Sequence, residues 1–139
     1  MKLKNQNGKW RPLDLVWEES SGAVAPEYRY AKKYHLYTQE NKIFLFRYIL
    51  KKGIKILEET KEIDPINYEK WISNLLKKNI HLLPYEGMPE EPMTGVSYNF
   101  VSFRLGSAKS KYYYRLDDIN QEGWEQKKAI INLIERMKP

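Results

Sequence analysis

The sequence predicts an α+β fold: an antiparallel sheet of about five or six strands, built from two hairpins plus N-terminal strands. Two amphipathic helices pack on one face, in the order β-β-β-β-α-β-β-α. Three observations carry this expectation. Apolar and aromatic runs hinged on glycine turns occur at 43–63 and again at 96–116, and each has the shape of a hairpin. Each hairpin is followed by a segment whose apolar residues recur at helical spacing. The chain has 139 residues, 42% of them hydrophobic and 30% charged, which suits one domain, 1–139, with its own core. Residues 1–8 are polar and need not be ordered.

Lys9 to Trp17 reads as a short strand interrupted at Pro12, which places it at a sheet edge, because proline cannot donate to a ladder. Residues 18–27, with Ser20, Ser21, Gly22 and Pro26, read as a loop. Tyr28 to Thr38 reads as a strand with Tyr34, Leu36 and Thr38 on one face and His35 and Tyr37 on the other. Ile43 to Leu50 is nearly continuous apolar, as expected of a central strand covered on both faces or along much of its length. Lys51-Lys52-Gly53 turns the chain into a partner strand ending near Ile63.

Asp64-Pro65 marks a helix start: a capping carboxylate, then a proline at the first helical position. Tyr68, Trp71, Ile72, Leu75 and Leu76 fall on one stripe of that helix. Residues 79–95, broken by Pro84, Gly87, Pro89 and Pro92, read as a long loop, a class often functional. Val96–Leu105 and Lys109–Leu116 make the second hairpin. A final helix is expected from about Asn120–Glu122, with Ile130, Leu133, Ile134 and Met137 as its stripe.

Composition excludes several chemistries. With no cysteine, disulfides, thiolate metal sites and cysteine nucleophiles are absent. No run of apolar residues approaches the ~20 needed for a membrane span. The two histidines, His35 and His81, lack a second histidine at metal-ligand spacing, and each reads as structural. The carboxylate pairs Glu58-Glu59 and Asp117-Asp118 point to opposite strand faces and to a helix N-terminus respectively, so neither forms an acid–base dyad. There is no Gly-x-Ser-x-Gly elbow and no glycine-rich phosphate loop. The expectation is therefore no catalytic residue, no cofactor and no metal, with an enzyme using an unrecognised Glu/His site as a remaining alternative. The first ten residues contain no apolar leader. The compartment is read as cytoplasmic if Met1 is the native start, and as exported if a leader was removed.

Charge is uneven. The net charge is +6, with nine basic against three acidic residues over 28–61 and four basic with none acidic over 104–115. Residues 79–95 carry Glu86, Glu90 and Glu91 and no cation. Of the eleven tyrosines, six interleave with cations in 28–34 and 109–115. Stacking rings beside phosphate-neutralising Lys and Arg are how sequence-tolerant single-strand binders work. This gives a nucleic-acid alternative resting on Arg29, Lys33, Lys111 and Arg115. Tyr98-Asn99-Phe100-Val101-Ser102-Phe103 is similar to the latter part of the aromatic strand motif of RNA-recognition domains, and Ile43-Phe44-Leu45 to the opening of that family's other motif. The resemblance implies Phe44, Tyr98 and Phe100 as base-stacking rings on two adjacent strands. It departs where Val96-Ser97 replaces the basic-Gly pair, where Arg47-Tyr48 replaces Asn-Leu, and in element order.

The leading expectation is a non-catalytic protein-interaction domain that engages a protein partner through its exposed loops, 18–27 and 79–95. Val24, Pro26, Leu83, Tyr85, Met88 and Met93 are the candidate contacts, because proline-stiffened apolar loops bind at a low entropy cost. Small inhibitor or immunity-type proteins of bacteria share this general character, without a motif here that identifies one.

Overall fold

A computed structural model of the chain describes residues 1–22, 24–89 and 99–139. Its elements are β1 (Leu13–Ser20), β2 (Tyr30–Gln39), β3 (Lys42–Lys51), β4 (Ile54–Glu62), α1 (Pro65–Lys77), β5 (Asn99–Leu105), β6 (Ala108–Tyr114) and α2 (Glu125–Glu135). The six strands form one antiparallel sheet in the order β4-β3-β2-β1-β5-β6. This is the α+β architecture that the two hairpins and two amphipathic segments predict.

The N-terminal strand is not at an edge. β1 sits inside the sheet, pairing with β2 on one side and β5 on the other, and so joins the two halves of the chain. Pro12 lies just outside it, so the missing N–H interrupts no ladder; instead the Pro12 carbonyl accepts from Gly106 N–H at 3.0 Å. The strand also runs on through Glu18, Glu19 and Ser20, which the sequence assigns to a loop.

The β2–β3 and β3–β4 connections are two-residue turns with positive φ at both positions, Glu40-Asn41 and Lys52-Gly53. That geometry matches the right-handed twist of the flanking strands. Gly53 is required twice over, because its φ is +71° and a Cβ there would lie 2.9 Å from the Pro26 carbonyl oxygen.

Alternation along the strands assigns one face to the core. Leu13, Leu15 and Trp17 of β1, Leu36 of β2 and Leu45 of β3 are buried beneath the helices with Phe103 and Tyr112. From α1 come Tyr68, Ile72 and Leu75; from α2, Ile130 and Ile134, with Met137 closing the end. Trp71 and Leu76 of the predicted stripe pack only at its margin. Leu3 and Trp10 also pack against this core, because a bridge between Lys4 and Trp10 folds the first residues back. Helix α2 starts at Glu125, later than the sequence implies: Gly123, with φ +90°, belongs to the preceding turn.

Asp64 caps α1, its carboxylate accepting from Asn67 N–H at 2.9 Å. Asp64→Ala is expected to destabilise the fold by about 1 kcal/mol, and Asp64→Asn by much less, since the amide oxygen still caps. Chemical denaturation measures both; equal losses for the two variants would remove the cap from the explanation.

No helix among the described residues is long and apolar enough to cross a membrane.

Candidate functional site

Both helices cover the same side of the sheet, so the side chains of opposite parity face away from them. Register defines rows across this second face. One runs Glu62, Phe44, Tyr37, Asp14, Arg104, Lys109 from β4 to β6. The next runs Thr60, Phe46, His35, Val16, Ser102, Lys111. The third runs Glu58, Tyr48, Lys33, Glu18, Phe100, Tyr113. The apolar and aromatic members are all half-buried by their neighbours, and no described element lies over them. Of the two alternatives expected for β3, Phe44, Phe46 and Tyr48 exclude cover on both faces: the strand is half-buried along much of its length, with Ile43 and Leu45 enclosed.

The aromatic residues lie in two groups. Tyr37 stacks on Phe44 with centroids 5.6 Å apart, and His35 tilts against Tyr37 at 4.6 Å. At the other end Phe100 tilts against Tyr113 at 5.9 Å, with Lys111 Nζ 4.8 Å from the Phe100 centroid and 5.1 Å from that of Tyr113. Phe44 and Phe100 are separated by β2 and β1, so they are not on adjacent strands and cannot form the base-stacking pair that the RNA-recognition resemblance implies. Tyr98 lies outside the described residues.

Tyr85 joins the second group through tertiary structure. Residues 84–86 run alongside β6, Lys111 N–H donating to the Pro84 carbonyl at 3.1 Å and Glu86 N–H to the Lys111 carbonyl at 2.9 Å. Lys109 Nζ then lies 4.7 Å from the Tyr85 ring centroid. The Glu86 carboxylate turns the other way, accepting from Tyr113 N–H at 3.0 Å and meeting Lys127 of α2 at 3.6 Å.

Charge across the face is sorted. His35 hydrogen-bonds Asp14, and Lys33 pairs with Glu18 at 3.1 Å. Glu58 pairs with Lys55 at 3.0 Å, and Lys42 lies 4.0 Å from Glu62. Arg104, Lys109 and Lys111 meet no carboxylate at ion-pair distance among the described residues. The β6 end is thus cationic and the β4 end carries the outlying carboxylates.

The described parts of the two loops expected to share a partner lie against different strands. The β1–β2 loop folds against the β3–β4 turn, whereas residues 84–86 border β6. Val24 (39%), Tyr85 (48%) and Met88 (72%) remain exposed, and Pro26 is exposed while its carbonyl accepts from Arg29 N–H. Leu83 packs on the core, and Met93 lies outside the described residues. Of the nucleic-acid candidates, Lys33 and Lys111 stand on the sheet face. Arg29 and Arg115 are exposed beyond the strand ends.

Beneath the sheet a polar chain crosses the core. Trp17 Nε1–H donates to the Tyr114 hydroxyl at 2.8 Å, and Tyr114 donates in turn to Glu19, which also accepts from the Tyr30 hydroxyl at 3.1 Å. Burial, reinforced by the Glu19 carboxylate, holds the Tyr114 and Tyr30 phenols well above the ordinary tyrosine range. No group of three or more metal-ligating side chains occurs among the described residues. The His35–Asp14 contact and the Glu19 chain both unite residues far apart in sequence, and composition holds no signal for either. Compared with models of known families, with curated proteins and with solved structures, the chain matches none.

Proposed function

We propose that this chain is a non-catalytic protein-interaction domain, with the sheet face that no described element covers as its docking surface, Tyr85 at its β6 border and exposed Met88 in the same 79–89 segment. The observation that carries the reading is the row structure itself. Phe44, Phe46 and Tyr48 share one face with Phe100 and Tyr113, on a rigid sheet whose opposite side holds the whole core. Rigid rings contribute large contact area with little entropy loss, and these five are half-exposed on a face that no described element covers. Carboxylates on β1 and β4 mix with cations on β5 and β6, a pattern that fits a protein partner better than a polyanion.

Photo-crosslinking residues placed at Phe46 and Tyr113, with one at Ser73 on exposed α1 as control, test this in cell extract. Adducts sensitive to protease are expected from the two sheet positions and not from Ser73. Absence of adducts from both sheet positions would sink the reading.

The second reading is single-stranded nucleic-acid binding at the β5–β6 end. It is favoured by Lys109 and Lys111 lying over Tyr85, Phe100 and Tyr113. Fluorescence titration with a mixed-sequence oligonucleotide separates the two. Quenching that falls steeply with salt would favour the nucleic acid.

A further inference from the structure

We infer that the occupant of the sheet face left open by the described residues is a second copy of this chain, the two sheets stacking face to face about a two-fold axis parallel to the strands and midway between β1 and β2. The inference rests on the protein-interaction reading and names its partner. Such an axis lays β4 over β6, β3 over β5 and β2 over β1 of the other copy, with rows kept in line.

The register then decides the pairing. Glu62 meets Lys109 of the second copy, Lys33 meets its Glu18, Phe44 meets its Arg104 and Tyr48 meets its Phe100. Glu58 faces the Tyr113 hydroxyl and Tyr37 faces Asp14. No like charges are opposed anywhere in the three rows. Arg104 and Lys109, which meet no carboxylate among the described residues of one chain, gain an aromatic face and a carboxylate from the other.

The alternative two-fold, perpendicular to the strands, reverses the rows and keeps each strand over its own copy. It opposes Glu62 to Glu58 and Asp14 to Glu18, so charge selects the first axis. Isologous contacts require such self-complementarity. Packing with strands nearly aligned is an ordinary mode for stacked sheets.

Size is adequate. Six strands about 4.8 Å apart and three rows about 6.7 Å apart give a face of roughly 580 Å², so two copies cover about 1,160 Å², above the ~1,000 Å² that a specific interface needs. A standard interface covers about 800 Å² per partner, and Tyr85 extends this face at its β6 border.

Sedimentation equilibrium of the purified full chain tests the inference, over concentrations from about 1 to 100 μM, the range expected of a mixed polar and aromatic interface. The expected result is a species of twice the chain mass of 16.7 kDa. Val16 lies beside the axis, so Val16→Arg sets two cations close together and should raise the dimer dissociation constant at least ~10-fold. Glu62→Lys and Lys109→Glu, both at exposed positions, should each raise it about 3- to 10-fold. Mixing those two variants recreates both attractive contacts and should restore association, which a folding defect in either could not do.

A monomer at every concentration, or a dimer indifferent to all three variants, overturns the inference. In that case adducts to a different protein from Phe46 leave the broader reading standing, and their absence removes both. Saturable oligonucleotide binding abolished by Val16→Arg also overturns both.

Discussion

Raised above pH 10, the protein is expected to lose stability steeply and to unfold well before all its tyrosines have titrated. Tyr68, Tyr112 and Tyr114 are fully enclosed beneath the sheet, and burial pushes each phenol far above its ordinary value of 10.0. Nearby carboxylates add to the effect, Glu86 at Tyr112 and the hydrogen-bonded Glu19 at Tyr114. The sign follows from linkage. Folded-state values lie above unfolded ones, so the contribution is fully present below about pH 10 and declines as pH rises, because the unfolded chain alone releases these protons. Three such groups give a slope of about 4 kcal/mol per pH unit. A domain holding 5–15 kcal/mol is therefore expected to unfold within roughly one to four units above pH 10. Tyr30 is shifted in the same direction but is partly exposed, and contributes less.

Phenolate absorbance and circular dichroism, followed on the same samples, check this. Tyr68, Tyr112 and Tyr114 should release their protons only with unfolding. If all eleven titrate on one curve near the ordinary value while the ellipticity holds, the enclosure of these rings is wrong.

The second large effect is expected at Trp17. This residue is 1% exposed at the middle of the sheet, packs edge-on against Tyr34 at 5.4 Å and donates to the Tyr114 hydroxyl. Trp17→Ala opens a cavity and removes that donor, at a cost of about 3–5 kcal/mol. For a chain of this length the melting midpoint should fall by roughly 10–20 °C. Trp17→Phe keeps most of the packing and forfeits the N–H, so a loss of about 1–2 kcal/mol is expected. Thermal unfolding followed by calorimetry separates the two. A drop of under a few degrees for Trp17→Ala would contradict a load carried through the sheet centre.

The sheet face opposite the helices was legible only in fragments. Alternation in the sequence places His35 and Tyr37 on one side of a strand and Leu36 on the other, and tyrosine interleaved with lysine at 109–115 is visible in the chain itself. Nothing local places Phe44 and Phe100 three strands apart, or brings Tyr85 alongside Lys111. Leu83 and Tyr85 are two residues apart in a proline-broken segment, yet one packs on the core and the other stays half exposed at the sheet border. That division is set by the hydrogen bonds of residues 84–86 to β6, which composition does not encode.

The sequence by itself determined the elements. The Asp64-Pro65 start and the stripe of Tyr68, Ile72 and Leu75 specify α1, and the Lys51-Lys52-Gly53 turn specifies a hairpin, because capping, period and turn chemistry are properties of neighbouring residues. Tertiary structure alone decided that β1 lies at the interior of the sheet and in what order the strands stand beside one another. Those outcomes depend on pairing Leu15 with Phe103 and on seating Trp17 against Tyr114, contacts between residues far apart along the chain. Period-two alternation says which side chains share a face; which face is buried follows only from where the helices find room to pack.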